Sequence, residues 1–319
     1  MPRQPLNDSR VLITGASGFL GSHLSARLAH MGVSVDAVSR ISRNDPSNHR
    51  WWTGDLSDIA FARFVCQEVQ PQVIFHFSGL SSAGASLDLV LPTYHTLLTS
   101  TVNILTASQE LGVCRRIVLV ASLTEPLATE PNSIPSSPYA AAKWACGAYG
   151  RMFHALFQLP VVFVRPFMTY GPRQQAGKLI PYVTASLLSG EPPKLSSGTW
   201  KADWIYIDDV VEGLVSASHV ASIEGSTFDL GSGVLTPIRE VVGQLVEIID
   251  SRTQPVFGAL PDRPMEPLRT ADIATSFQKL GWRPKVSLRE GLQRTVDWHK
   301  RILAEAGIDS TGERIQNVR

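Results

Sequence analysis

Val11-Leu-Ile-Thr-Gly-Ala-Ser-Gly-Phe-Leu-Gly21 is the stretch on which the fold turns. Four β-favouring residues run into three glycines spaced three apart, Gly15, Gly18 and Gly21. An amphipathic helix follows, with Leu20, Leu24 and Leu28 on one face and Gly32 placed to stop it. A strand that turns sharply into a helix leaves unpaired backbone N–H groups, and the positive end of the helix dipole, aimed at one spot. That spot suits a pyrophosphate. Glycine is needed where a side chain would hold the phosphates off the backbone or the helix off the sheet. Gly15, Ser17, Gly18, Phe19 and Leu20 are therefore expected to face a dinucleotide. Glycines also punctuate ordinary turns; the place of these three, between a strand and a helix at the start of a domain, favours binding.

Outward from this turn, short apolar runs alternate with helical patterns. Residues 33–38, 74–77, 116–121 and 161–164 read as strands buried on both faces, and 57–69, 88–111 and 138–157 as helices, the first with Ser57 as its N-cap. Such alternation implies right-handed crossovers and a parallel sheet covered on both sides. After Pro166 prolines and glycines become frequent, and helices near 176–188, 208–217, 237–249 and 288–304 lie between loops. The expected class is α/β: a doubly wound parallel sheet of Rossmann type over residues 1–166, and a smaller mixed α/β substrate-binding domain over 167–319. The two are interleaved, with 203–207 threading back to the main sheet and 203–220 returning to the first domain.

Composition excludes several functions. The 319 residues carry a formal charge of +1 with no basic run, which argues against nucleic acid as a partner. No apolar stretch reaches the length of a membrane span, and the start, Met1-Pro-Arg-Gln-Pro-Leu-Asn-Asp, has no hydrophobic signal core. Cys66, Cys114 and Cys146 are odd in number and far apart, which suits a reducing cytoplasm. The eight histidines never pair with cysteine or carboxylate at ligand spacing, so no metal site is expected.

The chemistry centres on Tyr139-Ala-Ala-Ala-Lys143, which opens a helix and sets phenol and ammonium one turn apart on one face. A free tyrosine, with a pKa of about 10, is a poor base at neutral pH. A fixed cation nearby stabilises the phenolate, so Tyr139 can exchange a proton with a substrate hydroxyl while a nicotinamide exchanges hydride. Lys143 has a second duty in reach, a hydrogen bond to the nicotinamide ribose. A third partner is expected where the strand from Arg116 ends. Ser122 is the first choice there and Thr124 the reserve, against the plainer reading of a turn hydroxyl.

With these residues in view the chain resembles an extended short-chain dehydrogenase/reductase of the NAD-dependent epimerase/dehydratase family. The likeness runs through Gly15/Gly18/Gly21, Gly54-Asp55-Leu56, His76-Phe-Ser-Gly79, Tyr139/Lys143, Arg165-Pro-Phe and Tyr170-Gly-Pro172. Asp203-Trp-Ile-Tyr-Ile-Asp-Asp209, Gly231-Ser-Gly233 and Leu280-Gly-Trp-Arg-Pro284 extend it over nearly the whole length. The resemblance implies a nucleotide-linked sugar as substrate, Asp55 and Leu56 at the adenine, and Phe77, Ser78 and Gly79 lining the cofactor. It further implies Pro166 and Phe167 at the nicotinamide amide, and a homodimer formed through helices 88–111 and 138–157. Ser81, Ser122, Met168, Thr169, Lys178 and Arg263 are the expected substrate contacts. His76 reads as a satisfied core histidine. Three positions depart from the family's habit: Met168 and Leu97 stand where asparagines are expected and Ala202 where an arginine is. The first and last of these alter how a diphosphate is held, and Lys178, Lys201 and Arg263 are the candidate replacements.

The register from Gly32 puts Ser39 and Arg40 at the end of the second strand, with Arg43 close behind, where an NAD site carries a carboxylate. Asp36 falls inside the strand. Two arginines suit a 2′-phosphate, so NADP(H) is preferred and NAD(H) remains possible. No acid pair follows Ser122, and Glu125 is displaced, so a 4,6-dehydratase ranks third. Reduction of a 4-keto sugar nucleotide ranks first and 4-epimerisation second. A dinucleotide-binding redox sensor is the non-enzymatic alternative, and the Tyr139/Lys143 pair speaks against it.

Overall fold

A computed structural model of the chain describes residues 6, 9–43, 49–77, 79–82, 84–125, 133–262 and 268–305. The nucleus is β1, Val11–Thr14, four residues without solvent exposure. Its side chains alternate between two cores. Val11 and Ile13 join Leu24, Leu28, Phe75 and Leu214 on one face; Leu12 joins Val65, Ile74, Ile104 and Phe163 on the other. A strand buried on both sides belongs in the middle of a parallel sheet. Here it lies between β2 (Val35–Ser39) and β4 (Val73–His76), followed outward by β5 (Arg116–Val120) and β6 (Val161–Pro166). Helices α1 (Phe19–His30), α2 (Ile59–Val69), α4 (Ser100–Leu111) and α5 (Pro138–Phe157) make the crossovers.

Two strands of this seven-stranded sheet escape the sequence pattern. At one edge β3, Arg50–Thr53, is only half-buried. The indole of Trp52 ties it down by donating to Asp36 (2.7 Å), while the Arg50 guanidinium lies 4.2 Å from the Trp52 ring. At the other edge β10, Thr227–Leu230, comes from the C-terminal half and pairs with β6. The expected return of 203–207 to the main sheet is corrected: β9, Lys201–Tyr206, pairs with β7 (Met168–Tyr170) and β11 (Leu235–Pro237) in a separate three-stranded sheet. It is the next helix, α7 (Ile207–His219), that packs on the large sheet beside α1. Gly213 there has no room for a Cβ, which would lie 2.5 Å from Leu230.

Local chemistry moves other boundaries. α2 is capped by Asp58, whose carboxylate accepts the Ala60 N–H (2.8 Å), and not by Ser57, whose own N–H goes to Asp55 (2.9 Å). The helix expected over 88–111 is broken into a 3₁₀ turn (Leu87–Leu89), α3 (Val90–Thr93), a π-helical stretch (Tyr94–Thr99) and α4. Pro92 supplies no N–H, and the hydroxyls of Ser100 and Thr101 bond back to the carbonyls of Thr96 (2.6 Å) and Leu97 (2.7 Å), which widens the turn. α6 (Leu179–Leu188) starts three residues later than the pattern suggests, and α8 (Ile238–Ile249) and α10 (Leu288–Glu305) follow it. The short α9, Ile273–Leu280, opened by Asp272, was not expected.

Two buried aspartates fasten segments of the C-terminal half to one another, Asp203 joining β9 to the turn after β10. Asp203 accepts from Ser232 N–H (2.6 Å) and Oγ (2.7 Å), Gly233 N–H (3.0 Å) and Ala271 N–H (3.0 Å). Asp209 accepts from the N–H groups of Lys285 (3.0 Å) and Val286 (2.9 Å), while its carbonyl takes the Trp282 indole N–H (2.8 Å). Among the described residues no helix is long and apolar enough to cross a membrane, and no His, Cys, Asp or Glu cluster is placed to hold a metal.

Candidate active site

The sheet register collects the site. Thr14 is level with His76, His76 with Leu119, and Leu119 with Phe163. The residues just beyond, Gly15, Phe77, the 120–122 strand end and Pro166, therefore share one C-terminal edge, where open α/β sheets bind ligands. Gly15 turns the chain with φ +66°, and the Gly18 N–H donates to its carbonyl (3.0 Å). Gly18 caps α1 with no side chain, so the first-turn N–H groups are not covered. At Gly21 a Cβ would lie 2.3 Å from the Gly15 oxygen and 2.8 Å from Ala16 Cα, both backbone atoms. Ser17 and Gly18 are exposed, Phe19 and Leu20 half-buried. This bare cradle at a helix's positive end fits a dinucleotide's pyrophosphate.

At the far end of the cradle β2 finishes at Ser39, which is buried and accepts the Ile41 N–H (3.2 Å). Arg40 and Arg43 are exposed, and Asp36 lies within the strand, engaged by Trp52. Asp55 is exposed and Leu56 buried. Asn103, which sequence reasoning passed over, fixes this loop by donating to the carbonyls of Leu56 and Ser57 (2.9 Å each). The Phe77 N–H is held by Thr14 (3.2 Å). Gly79, at φ +131°, lies so close to Leu97 that a Cβ would meet it at 2.0 Å. Leu97 thus fills with apolar surface the position where an asparagine was expected. Phe167 is buried behind half-buried Pro166. Ser78 and Arg263 lie outside the described residues.

Helix α5 opens as the sequence predicts. Ser137 accepts the Ala140 N–H (3.2 Å), Pro138 takes the first helical position, and Tyr139 and Lys143 follow one turn apart. Lys143 is buried and donates to the carbonyl of Val120 (2.9 Å), the last residue of β5. That bond brings the ammonium to the same strand end as Ser122. Ser122 and Thr124 are hydrogen-bonded to each other through their hydroxyls (2.8 Å). They form a pair, not alternatives in different places.

His76 is held on both ring nitrogens, by Thr14 Oγ1 (2.8 Å) and Thr101 Oγ1 (3.1 Å). The Thr101 hydroxyl hydrogen is committed to Leu97, which leaves Nε2 as donor and Nδ1 as acceptor from Thr14. Burial, with the nearby Lys143 charge, pushes its pKa down to about 3, so it stays neutral. It is the satisfied core histidine that the sequence suggested. Glu125 is a second residue that sequence reasoning left out of the site. It is buried, and burial raises its pKa against the opposing pull of the Ser122 N–H and nearby cations.

On the substrate side, Lys178 at the start of α6 donates to the carbonyl of Ser81 (3.1 Å), so two of the expected contacts are brought together. Met168 packs against the core, and Thr169 bonds its own backbone at Phe167 (3.1 Å). Ala202 is buried in β9, and Lys201 faces solvent.

This arrangement matches known proteins over nearly its full length. The model of the NAD dependent epimerase/dehydratase family matches residues 11–231. UDP-glucose 4-epimerase of Mycolicibacterium smegmatis is 31% identical over 313 residues, 91% of this chain and 98% of that protein. UDP-glucose 4-epimerase of Thermotoga maritima, solved with UDP-glucose, superposes with a TM-score of 0.83 at 25% identity, covering 92% of this chain and 99% of the other. The Thermus thermophilus UDP-glucose 4-epimerase, solved with NAD, gives 0.80 at 26% identity, covering 91% and 98%. Fold, sheet edge and sequence likeness agree: the chain is an extended short-chain dehydrogenase/reductase enzyme and belongs to the NAD dependent epimerase/dehydratase family.

Proposed function

We propose that the enzyme transfers hydride at carbon 4 of a nucleotide-linked sugar, with 4-epimerisation as the reaction. The observation that carries this is the tie between Lys143 and the end of β5, which brings the ammonium, one helical turn on from Tyr139, to the strand end that leads into the Ser122/Thr124 hydroxyl pair. A bound nicotinamide supplies or accepts the hydride. Tyr139 gives or takes the proton of the 4-oxygen, and Ser122 with Thr124 holds that oxygen by hydrogen bonds. One N–H of Lys143 goes to Val120, leaving two to serve the phenol oxygen and a cofactor ribose. Elimination needs a free acid and base beside the sugar; the Glu125 carboxylate instead accepts the Ser122 N–H (2.7 Å). The relatives named UDP-glucose 4-epimerase support epimerisation over the reduction that the sequence ranked first, and UDP-sugars are the proposed substrates.

A second reading, reduction of a 4-keto sugar nucleotide, is favoured by the adenosine end. Ser39 closes β2 where a carboxylate would repel a 2′-phosphate, and Arg40 and Arg43 stand exposed beside it. On that ground we propose that NADP(H) is preferred over NAD(H), although the Thermus neighbour was solved with NAD. One experiment separates the readings. With UDP-glucose and catalytic cofactor, an epimerase yields UDP-galactose with no lasting change at 340 nm, whereas a reductase consumes NADPH mole for mole with a 4-keto sugar. Tyr139→Phe is expected to lower either turnover by about 10² to 10⁴. Unchanged turnover would refute the assignment.

The proposed assembly is a homodimer through α3–α5. Leu87, Leu91, Tyr94, Trp144 and Tyr149 are exposed there beside an apolar groove of about 740 Å³ lined by Val90, Ala141 and Ala145. Light scattering is expected to show a dimer that Trp144→Asp converts to monomer. The three cysteines are free thiols, which supports placing the enzyme in the cytoplasm.

A further inference from the structure

The turn after β5 is gripped from two sides by residues that have no part in hydride transfer. From within, Glu125 folds back so that its Oε1 accepts the Ser122 N–H (2.7 Å), while its own N–H donates to the Ser122 carbonyl (3.1 Å). The carboxylate lies under α5 at Gly147, where a Cβ would be 2.9 Å from Glu125 Oε2. Lys143, Arg151 and Arg165 surround it with positive charge. From without, Arg269 reaches over from the C-terminal half. Its guanidinium donates to the carbonyls of Leu123 (3.0 Å) and Glu125.

The strap that carries Arg269 is itself fastened. Two residues on, the Ala271 N–H donates to Asp203 (3.0 Å); next to it the Asp272 N–H donates to Asp229 (3.1 Å), whose other oxygen pairs with Arg165 (2.7 Å). Arg269 therefore stands on a base anchored to β9 and β10, and spans to the end of β5. A guanidinium across two carbonyls fixes direction as well as distance, and charge-assisted bonds are stronger than neutral ones.

We propose that Arg269 and Glu125 are positioning residues that clamp the Ser122/Thr124 hydroxyl pair against Tyr139, with Arg269 coupling this turn to the substrate-binding half. The inference rests on the site described under the proposed function. A misplacement of about 1 Å at a reacting centre can cost about a hundredfold in rate, so the clamp acts on kcat and leaves ligand affinity alone.

The test compares Arg269→Ala, Arg269→Lys, Glu125→Ala, Glu125→Gln and Tyr139→Phe in the full chain with UDP-glucose. Arg269→Ala is expected to lower kcat by about ten- to a hundredfold, with KM for UDP-glucose and the dissociation constant of the dinucleotide within about threefold. Arg269→Lys, or guanidinium ion added to Arg269→Ala, restores part of kcat. Glu125→Gln keeps an acceptor for the Ser122 N–H and loses less than Glu125→Ala. Hydrogen exchange of the peptide spanning 117–125 is expected to quicken in Arg269→Ala and Glu125→Ala, a readout independent of turnover. An unchanged kcat, an effect on KM alone, or unaltered exchange overturns the clamp. Tyr139→Phe separates the two claims: full activity in that variant overturns the site, whereas its inactivity beside an unimpaired Arg269→Ala overturns the clamp only.

Discussion

At Gly21 one hydrogen decides whether a helix can sit on a strand end. A Cβ would press on two backbone atoms that have no rotamer to yield, so the strand–helix spacing itself would have to open. Gly21→Ala is expected to cost about 1–3 kcal/mol of stability and to weaken dinucleotide binding at least about tenfold, as cofactor fluorescence titration would show. Undiminished affinity would mean that the phosphates are held elsewhere. His76 sets a different residue-scale constraint, on pH. Its folded pKa lies below the usual histidine value, so its share of stability is complete above about 6.5 and is lost as pH falls towards about 3. The slope is at most about 1.4 kcal/mol per pH unit. Urea titrations between pH 4 and 8 are expected to show this acid slope in the native enzyme and to show it reduced in His76→Asn.

At the scale of elements, α5 was legible to the residue, because its signals are local: a serine cap, a proline at the first position and an uninterrupted small-residue face. Ser137→Ala is expected to cost about 1 kcal/mol and, since the cap lies two residues before Tyr139, to lower kcat while dinucleotide affinity holds. Thermal melts and steady-state kinetics on one preparation check both. The helix expected over 88–111 failed for an equally local reason that periodicity does not register. Hydroxyls bonding to carbonyls four residues back open a π-helical turn, and it is there that Leu97 comes against Gly79. Strand β3 was missed because two half-buried tryptophans at a sheet edge give neither alternation nor a long apolar run.

At the scale of the whole molecule, the motifs shared with the family divide into two kinds. Lys143 and the glycine cradle lie at the C-terminal edge of the large sheet, whereas Asp203, Ser232–Gly233 and Trp282 fasten segments of the C-terminal half to one another. Asp203 is buried and accepts from four donors, so its loss strands several polar groups at once. Asp203→Ala is therefore expected to destabilise the protein by about 3 kcal/mol or more. It should also loosen the strap at Ala271 and weaken nucleotide-sugar binding more than dinucleotide binding. Calorimetry with paired ligand titrations measures all three; equal loss of both ligands would overturn the link from Asp203 to the substrate side.

The order of strand, glycine turn and helix, the alternation that follows, and the spacing from Tyr139 to Lys143 are properties of neighbours along the chain, and the sequence by itself determined them. Which strand closes the large sheet, which aspartates fasten the C-terminal segments, and what grips the turn beyond Ser122 depend on partners as far apart as Arg269 and Leu123. Such contacts leave no periodic trace. They come into being only when the sheet brings distant strand ends to one edge, where the carbonyls and N–H groups left unpaired must find partners.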